Sequence, residues 1–248
     1  MVEVPSEAEE DAKRPHREYE RLVKEQTSHR NRVKALLFAQ GVRDFDPMAS
    51  DRLARLAALP IMPRLKSELV RECRRLAAII ADIAEIEAEM TATVVPGKNA
   101  SRKSAVAPIP SHVQAKAAQL FKLKSIGVHF STVLAGEVFY RTFRNRRGVG
   151  QYIGLAPSPF QSGDMAHDQG IAKAGNKRAR KAMIELSWLW LRHQRDSALS
   201  QWFRERVGDG KGRVRRIAIV AMARRLSVAL WRYLETGLVP EGAVLKRA

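Results

Sequence analysis

Apolar residues along this chain recur at alternating spacings of three and four, the rhythm of helices that each bury one stripe. From Tyr19 the positions Leu22, Gln26, His29, Val33, Leu36 and Gln40 keep that rhythm until Gly41 stops it, which predicts a long helix with a narrow heptad seam. Gln26 and His29 put polar groups on the seam, where they either set register and partner choice or lie on a partly solvated stripe. Upstream, Ser6 with Glu9 three residues later has the form of a capping box that opens the helix. Pro15 then kinks the early part or moves the real start past residue 15. After a short helix near residues 50 to 58, punctuated by Pro60 and Pro63, a second long helix carries Leu69, Leu76, Ile79, Ile83, Ile86 and Met90 in the same rhythm. Two such helices predict a long antiparallel coiled-coil hairpin over 1–93. It closes on itself or pairs with another subunit, and the narrow seam favours a homo-oligomer.

Residues 94–110, with Pro96, Gly97, Ser101, Ser104, Pro108 and Pro110 among small and basic residues, read as a linker and domain boundary. Beyond it, 111–248 remains helical: about 111–124, 131–141, 146–153, one long helix over 177–206, and another over 214–236. No strand pattern is apparent, so the expected fold class is all-α. In the long helix Met183, Ile184, Trp188 and Leu191 share one face; in the last, Ile219, Met222, Ala223, Leu226, Ala229, Leu230 and Tyr233 form the buried stripe. Trp188, Trp190, Trp202 and Trp231 then read as core anchors rather than base-stacking platforms.

Charge sharpens this division. Residues 1–100 hold 17 Lys and Arg against 17 Asp and Glu, whereas 101–248 hold 27 against 9, so the whole net charge of +18 is C-terminal. An excess of that size is the footprint of a polyanion partner, because each cation that meets a phosphate releases a condensed counterion. Nucleic acid is the leading expectation. An acidic membrane surface is the alternative, but no apolar run approaches the roughly 20 residues of a span, and the N-terminus is acidic where a signal peptide is basic. A soluble, cytoplasmic, nucleoid-associated protein is expected. The single cysteine, Cys73, excludes an internal disulfide and a cysteine-based zinc cluster, and reads as a packed helix residue.

Candidate chemistry concentrates in a glycine- and serine-rich loop, Gly154 to Asn176, that runs into a basic helix. A serine hydroxyl is a poor nucleophile unless a base or metal activates it and cations stabilise the charge built up at phosphorus. Ser162 sits beside Gly163, which lets a phosphate approach the backbone. Lys173, Lys177, Arg178 and Arg180 can supply donors, and Asn176 can cap a helix whose N-terminus faces the anion. A plain turn is the simpler reading of Ser-Gly, and Ser158, between Pro157 and Pro159, is a weaker candidate. His167 with Asp164 and Asp168 fits a metal cluster or a solvated loop. Glu137, Asp164, Asp168 and Glu185 are the acids near the loop, but nothing in their spacing forces them to converge on magnesium. Between two predicted helices, Leu123 to Val128 resembles half of a helix-hairpin-helix: Gly127 remains, and Ser125 stands where the first glycine belongs. Downstream, Arg141, Arg144, Arg146 and Arg147 fit phosphate-backbone contact better than base reading.

The run Phe139-Tyr140-Arg141, Asn145-Arg146-Arg147, Gly154-Leu155-Ala156-Pro157, Gln161-Ser162-Gly163, Gly170-Ile171, Lys173-Ala174-Gly175-Asn176, Trp188-Leu189-Trp190-Leu191, Trp202 to Arg206 and Ala229 to Tyr233 resembles the C-terminal domain of insertion-sequence 110 family transposases. Arg21 to Glu25 and Asn31 to Lys34 resemble the coiled coil that precedes it. The resemblance implies a DNA transposase or site-specific recombinase, similar to pilin-gene invertases. In that family a RuvC-like domain with an acidic magnesium site works with a serine that links covalently to DNA, and a structured noncoding bridge RNA selects target and donor. By motif position the serine is Ser162. The RuvC-like domain precedes the coiled coil in the family, and here Met1 lies almost where the coiled coil begins. The chain is therefore expected to be a truncated, split or internally started form. It would bind no metal itself, with Mg²⁺ expected in the missing domain, and would be inactive alone. The alternative is a noncatalytic nucleic-acid-binding regulator derived from a transposase.

Overall fold

A computed structural model describes residues 4–95, 109–162 and 165–246, with side chains described outside 159–169. The chain forms two compact units: Pro15–Glu89, and the N-terminal residues through Arg14 together with Met90 onward. Most of the expected linker, 96–108, lies outside the described residues. Helices dominate both units, in keeping with the all-α class.

In the first unit, α2 (Arg14–Phe38), α3 (Arg52–Ala58) and α4 (Pro63–Val94) supply the helices. The capping box is present, with the Ser6 hydroxyl accepting from the Glu9 amide and the Glu9 carboxylate accepting from the Ser6 amide, but it opens only a one-turn helix, α1 (Glu7–Asp11), in the other unit. Pro15 explains the break: it has no N–H and its ring would clash with the carbonyl of Asp11, so it is accepted only in the first turn of the new helix. At the other end of α2, Gly41 takes φ +81° and the Val42 amide bonds the Leu37 carbonyl, which closes the helix.

The apolar stripe of α4 is buried at Leu69, Leu76, Ile79, Ile83, Ile86 and Met90. On α2 the buried apolar positions are Leu22, Val33 and Leu37, so the stripe shifts by one residue from Leu36 at its end. Three side-chain pairs join α2 to α4 in antiparallel order: Tyr19 with Glu87 at 3.1 Å, His29 with Glu72 at 2.6 Å, and Arg32 with Glu68 at 2.7 Å. Cys73 is buried among Val33, Leu37, Phe45, Leu56 and Leu69.

In the second unit, α5 (Ser111–Phe121), α6 (Val128–Leu134), a π-helical turn (Ala135–Phe139), α7 (Arg146–Ile153), α8 (Lys177–His193), α9 (Ala198–Val207) and α10 (Arg213–Thr236) enclose one large core. Trp190 is its largest buried side chain, and its indole N–H donates to the Ser197 hydroxyl at 2.8 Å. The stretch expected as one helix over 177–206 is two. Gln194 ends α8, and Ser197, which receives the Trp190 bond, also caps α9 by accepting from the Ser200 amide. The buried face of α8 runs through Ala179, Ala182, Met183, Leu186 and Trp190; Trp188, expected in the core, is instead 36 % exposed at the edge of that face.

Residues 154–176 also depart from expectation. They include an antiparallel pair, β1 (Pro157–Ser162) and β2 (Met165–Ile171), with Ser162 opposite Met165 and an irregularity between Pro157 and Pro159. Farther along, the chain after α10 returns to the start of the unit. Leu245 pairs with Leu123, the Lys124 amide donates to Val244 O, and the Lys246 amide donates to Lys122 O. Gln194 and Val244 also exchange two bonds of 2.8 Å.

Candidate nucleic-acid interface

The β1–β2 hairpin leaves the helical body through a tight collar, and the collar is made by the residues that flank the expected loop. Asn145 caps α7 by accepting from the Gly148 amide, and Gly154 ends it with φ +76°. On the return, the Ala172 amide bonds Ala156 O, the Lys173 amide bonds Gly154 O, and the Asn176 amide bonds Tyr152 O at 2.8 Å. Lys173 itself has φ +58°, the one non-glycine residue with positive φ among those described. The outgoing and returning strands touch backbone to backbone at Gly154 and Gly175. A Cβ on Gly175 would collide with Tyr152 O and Gly154 N, so a side chain there would force the two apart.

Arg180 and Asn176 lock this crossing. One Arg180 guanidinium nitrogen reaches the Lys173 carbonyl at 2.9 Å and the Ile153 carbonyl at 3.4 Å, which ties the two strands of the collar together. Asn176 caps α8, its side-chain oxygen accepting from the Ala179 amide at 3.1 Å, while its amide nitrogen donates to the Glu137 carboxylate at 2.8 Å. Glu137 is buried in the π-helical turn, a local widening of the helix that often marks functional positions. Asn176 therefore caps α8 as its position before the basic helix predicts, and it, Arg180 (expected to donate to a phosphate) and Glu137 (weighed among the acids near the loop for magnesium) all serve to hold the hairpin root.

Around the collar the remaining expected cations divide into two groups. Lys173, Lys177 and Arg178 are exposed. Arg144, Arg146 and Arg147 are exposed around the start of α7, but Arg141 is half-buried, its guanidinium 4.8 Å from the Tyr152 ring centre and 5.6 Å from that of Phe143. Arg141 is thus engaged by the aromatic residues beneath the patch. Gly127 caps α6 with an ordinary φ of −83°, and the Ser131 hydroxyl and amide both donate to its carbonyl. Nothing lies within 4 Å of where a Cβ on Gly127 would sit, so its conformation does not require glycine. The adjoining turn is held by the returning C-terminal segment, with Lys246 Nζ donating to Ile126 O at 2.8 Å. That ammonium lies against the Phe121 ring, and burial lowers its pKa to about 8.

Ser162 ends β1, roughly 17 Å of extended chain from Pro157. Its side chain, Gly163, Asp164 and the side chains of His167 and Asp168 lie outside the described residues. Among the described residues no group of three or more His, Cys, Asp or Glu side chains could hold a metal ion. Glu185, another acid weighed for magnesium, is exposed on α8, 3.8 Å from Lys181 and about 13 Å along the helix from Asn176. Glu137 and Glu185 are thus held in separate contacts, with Asn176 and Lys181 respectively. No helix among the described residues is long and apolar enough to cross a membrane.

Residues 117–207, from α5 to the end of α9, match the family model described as Transposase IS116/IS110/IS902 family, a span that includes the collar, the hairpin and the arginine cluster. The chain is 44 % identical over 253 residues to the provisionally named transposase y4rJ of Sinorhizobium fredii (strain NBRC 101917 / NGR234), covering 99 % of this chain and 63 % of that protein. It is 23 % identical over 231 residues to the transposase for insertion sequence element IS1328 of Yersinia enterocolitica, covering 90 % of this chain and again 63 % of the relative. The chain thus spans less than two thirds of the length of either.

Proposed function

The chain belongs to the IS116/IS110/IS902 family of insertion-sequence transposases, and from that premise we propose that it acts in DNA strand transfer with Ser162 as the nucleophile, carried on a hairpin arm rooted in a basic, helical body. In this reading the Ser162 oxygen bonds to phosphorus, a P–O bond of the DNA backbone breaks, and the released DNA oxygen takes a proton. The product is a phosphoserine link. The observation that carries the reading is the collar. Two glycines in backbone contact, an arginine bridging two carbonyls and an asparagine tied to a buried carboxylate give the arm a stiff root beside exposed cations suited to phosphates.

Lys173, Lys177, Arg178, Arg144, Arg146 and Arg147 take the DNA backbone in this proposal, and Gly127 with the α5–α6 turn offers a further backbone grip. Any magnesium used in the reaction is held by carboxylates other than those described. A structured noncoding RNA and a second copy of the chain, joined through the α2–α4 unit, are the further partners proposed. The binding-only alternative draws on the same exposed cations around the collar and α7, which would hold a DNA backbone whether or not a strand is cut.

A chimera in which this chain replaces the matching part of the Sinorhizobium relative separates the two readings. Incubated with Mg²⁺ and duplex DNA carrying the element ends, the chimera is expected to form a covalent protein–DNA adduct resolved on a denaturing gel, and Ser162→Ala is expected to abolish it while leaving binding intact. An adduct that survives Ser162→Ala removes Ser162 as nucleophile. Bound DNA without any adduct favours the binding-only reading. This chain alone is expected to bind the duplex without cutting it.

A further inference from the structure

One aromatic side chain lies outside the core it was expected to join. Trp188 on α8 is 36 % exposed, with its ring held edge-to-face by buried Phe203 of α9 at 6.2 Å and the Arg215 guanidinium of α10 over it at 5.1 Å. Three helices thus fix an indole at the surface. The surroundings are strongly cationic: Lys211, Arg213, Arg215 and Arg216 are all exposed at the start of α10, and Arg192 is exposed one turn beyond Trp188 on α8. Among the described residues none of these five has a carboxylate ion-pair partner. From Lys211 through Leu234 the sequence holds seven Lys and Arg and no Asp or Glu. Val214 and Ile217, 48 % and 58 % exposed, add apolar surface to the first two turns of α10.

This arrangement is costly for a surface that meets only water. It presents an aromatic ring, apolar side chains and uncompensated like charges together. A duplex backbone would use the cations but not the ring, whereas an unpaired nucleotide uses both: its base stacks on the indole and guanidinium planes, and its flanking phosphates meet the cations. We propose that the Trp188–Arg215 pair, flanked by Lys211, Arg213 and Arg216, is a binding site for an unpaired stretch of nucleic acid. Stacking accepts any base and has no contact with the sugar 2′ position, so single-stranded DNA and RNA are two sources of the same chemistry. The site involves residues other than the collar and the Arg144–Arg147 patch, and it rests on the proposal that this chain binds nucleic acid.

The test is fluorescence anisotropy of the full chain with three labelled probes of equal length: an unpaired DNA strand, an unpaired RNA strand and a DNA duplex. Trp188→Leu is expected to weaken binding of at least one unpaired strand roughly tenfold and duplex binding less than twofold, with Trp188→Phe retaining most of the affinity. The strand that loses more affinity identifies the source. Thermal unfolding of both variants distinguishes a lost stacking surface from a damaged fold, and Arg215→Gln, which leaves the indole in place, is expected to weaken the same strand. Unpaired-strand binding that is unchanged in Trp188→Leu and Arg215→Gln overturns the site, as does an equal loss on duplex and single strand in properly folded variants. If the wild-type chain binds none of the probes, the nucleic-acid-binding reading fails with it; if it binds the duplex normally and the variants change nothing, only this site fails.

Discussion

Asn176 shows how one side chain can serve helix, loop and core together. Its oxygen caps α8, its backbone amide closes the hairpin root on Tyr152, and its side-chain amide satisfies part of a buried carboxylate. The first role was legible in the sequence, because Asn before a basic amphipathic helix is a recognisable cap. The third was not, since Glu137 lies 39 positions earlier and only the fold brings it near. Replacing Asn176 with Asp keeps the cap oxygen but replaces the donated N–H with a second carboxylate facing Glu137. Asn176→Asp is expected to lower unfolding stability by about 2 kcal/mol, measured by urea denaturation at pH 7, the size of losing a hydrogen bond to a charged group. Trp188 and Trp190 teach the converse lesson: both read as core anchors, but the buried stripe of α8 runs one position earlier than the one read, which takes in Trp190 and leaves Trp188 at its edge.

At the scale of elements, helix existence was easier to read than helix extent. The helix over 146–153 was marked at both ends by Asn145 and Gly154, and it lies where those signals put it. Between α8 and α9 no glycine or proline interrupts the apolar rhythm, so the break at Gln194–Ser197 was hidden; the available signal was Ser197 itself, a cap residue that also serves the Trp190 indole. The hairpin was hidden for a different reason. Pro157 and Pro159 argue against a strand in a central sheet but are tolerated in a two-stranded ribbon with solvent edges. In the Pro15–Glu89 unit, the seam polarity at His29 resolves into a contact with buried Glu72, which also accepts from Arg75 at 2.6 Å. Burial alone would raise the Glu72 pKa, but His29, Arg75 and Arg32 outweigh it and hold the carboxyl below its usual range. A lowered folded pKa gives stability that is fully present above the ordinary carboxylate value and lost as pH falls through the lowered one. Hydrogen exchange across α2 and α4 is therefore expected to quicken below about pH 4 in the wild type. Glu72→Gln is expected to exchange faster at neutral pH and to show a weaker acid dependence.

For the whole molecule, the net charge of +18 was the most accessible sequence signal and is also the least local. It pointed to a polyanion without saying where contact occurs; the fold separates the exposed arginines around α7 from the cations at the start of α10 and diverts Arg141 and Arg180 to structural duties. Neutralising Arg144, Arg146 and Arg147 together is expected to weaken duplex binding and to flatten the slope of log affinity against log salt by about 2 to 3, as measured in a salt titration. An unchanged slope would remove that patch from the interface. A different long-range link sets the timetable of assembly. Lys246 bonds Ile126 across 120 positions of sequence, and its neighbours Val244 and Leu245 complete the same turn. At about 5 to 20 residues per second, a ribosome needs roughly 6 to 24 s to add that length. Throughout that interval the α5–α6 turn is already made but lacks its partner strand, so a nascent chain carries this part of the domain unfinished long after its sequence has been translated.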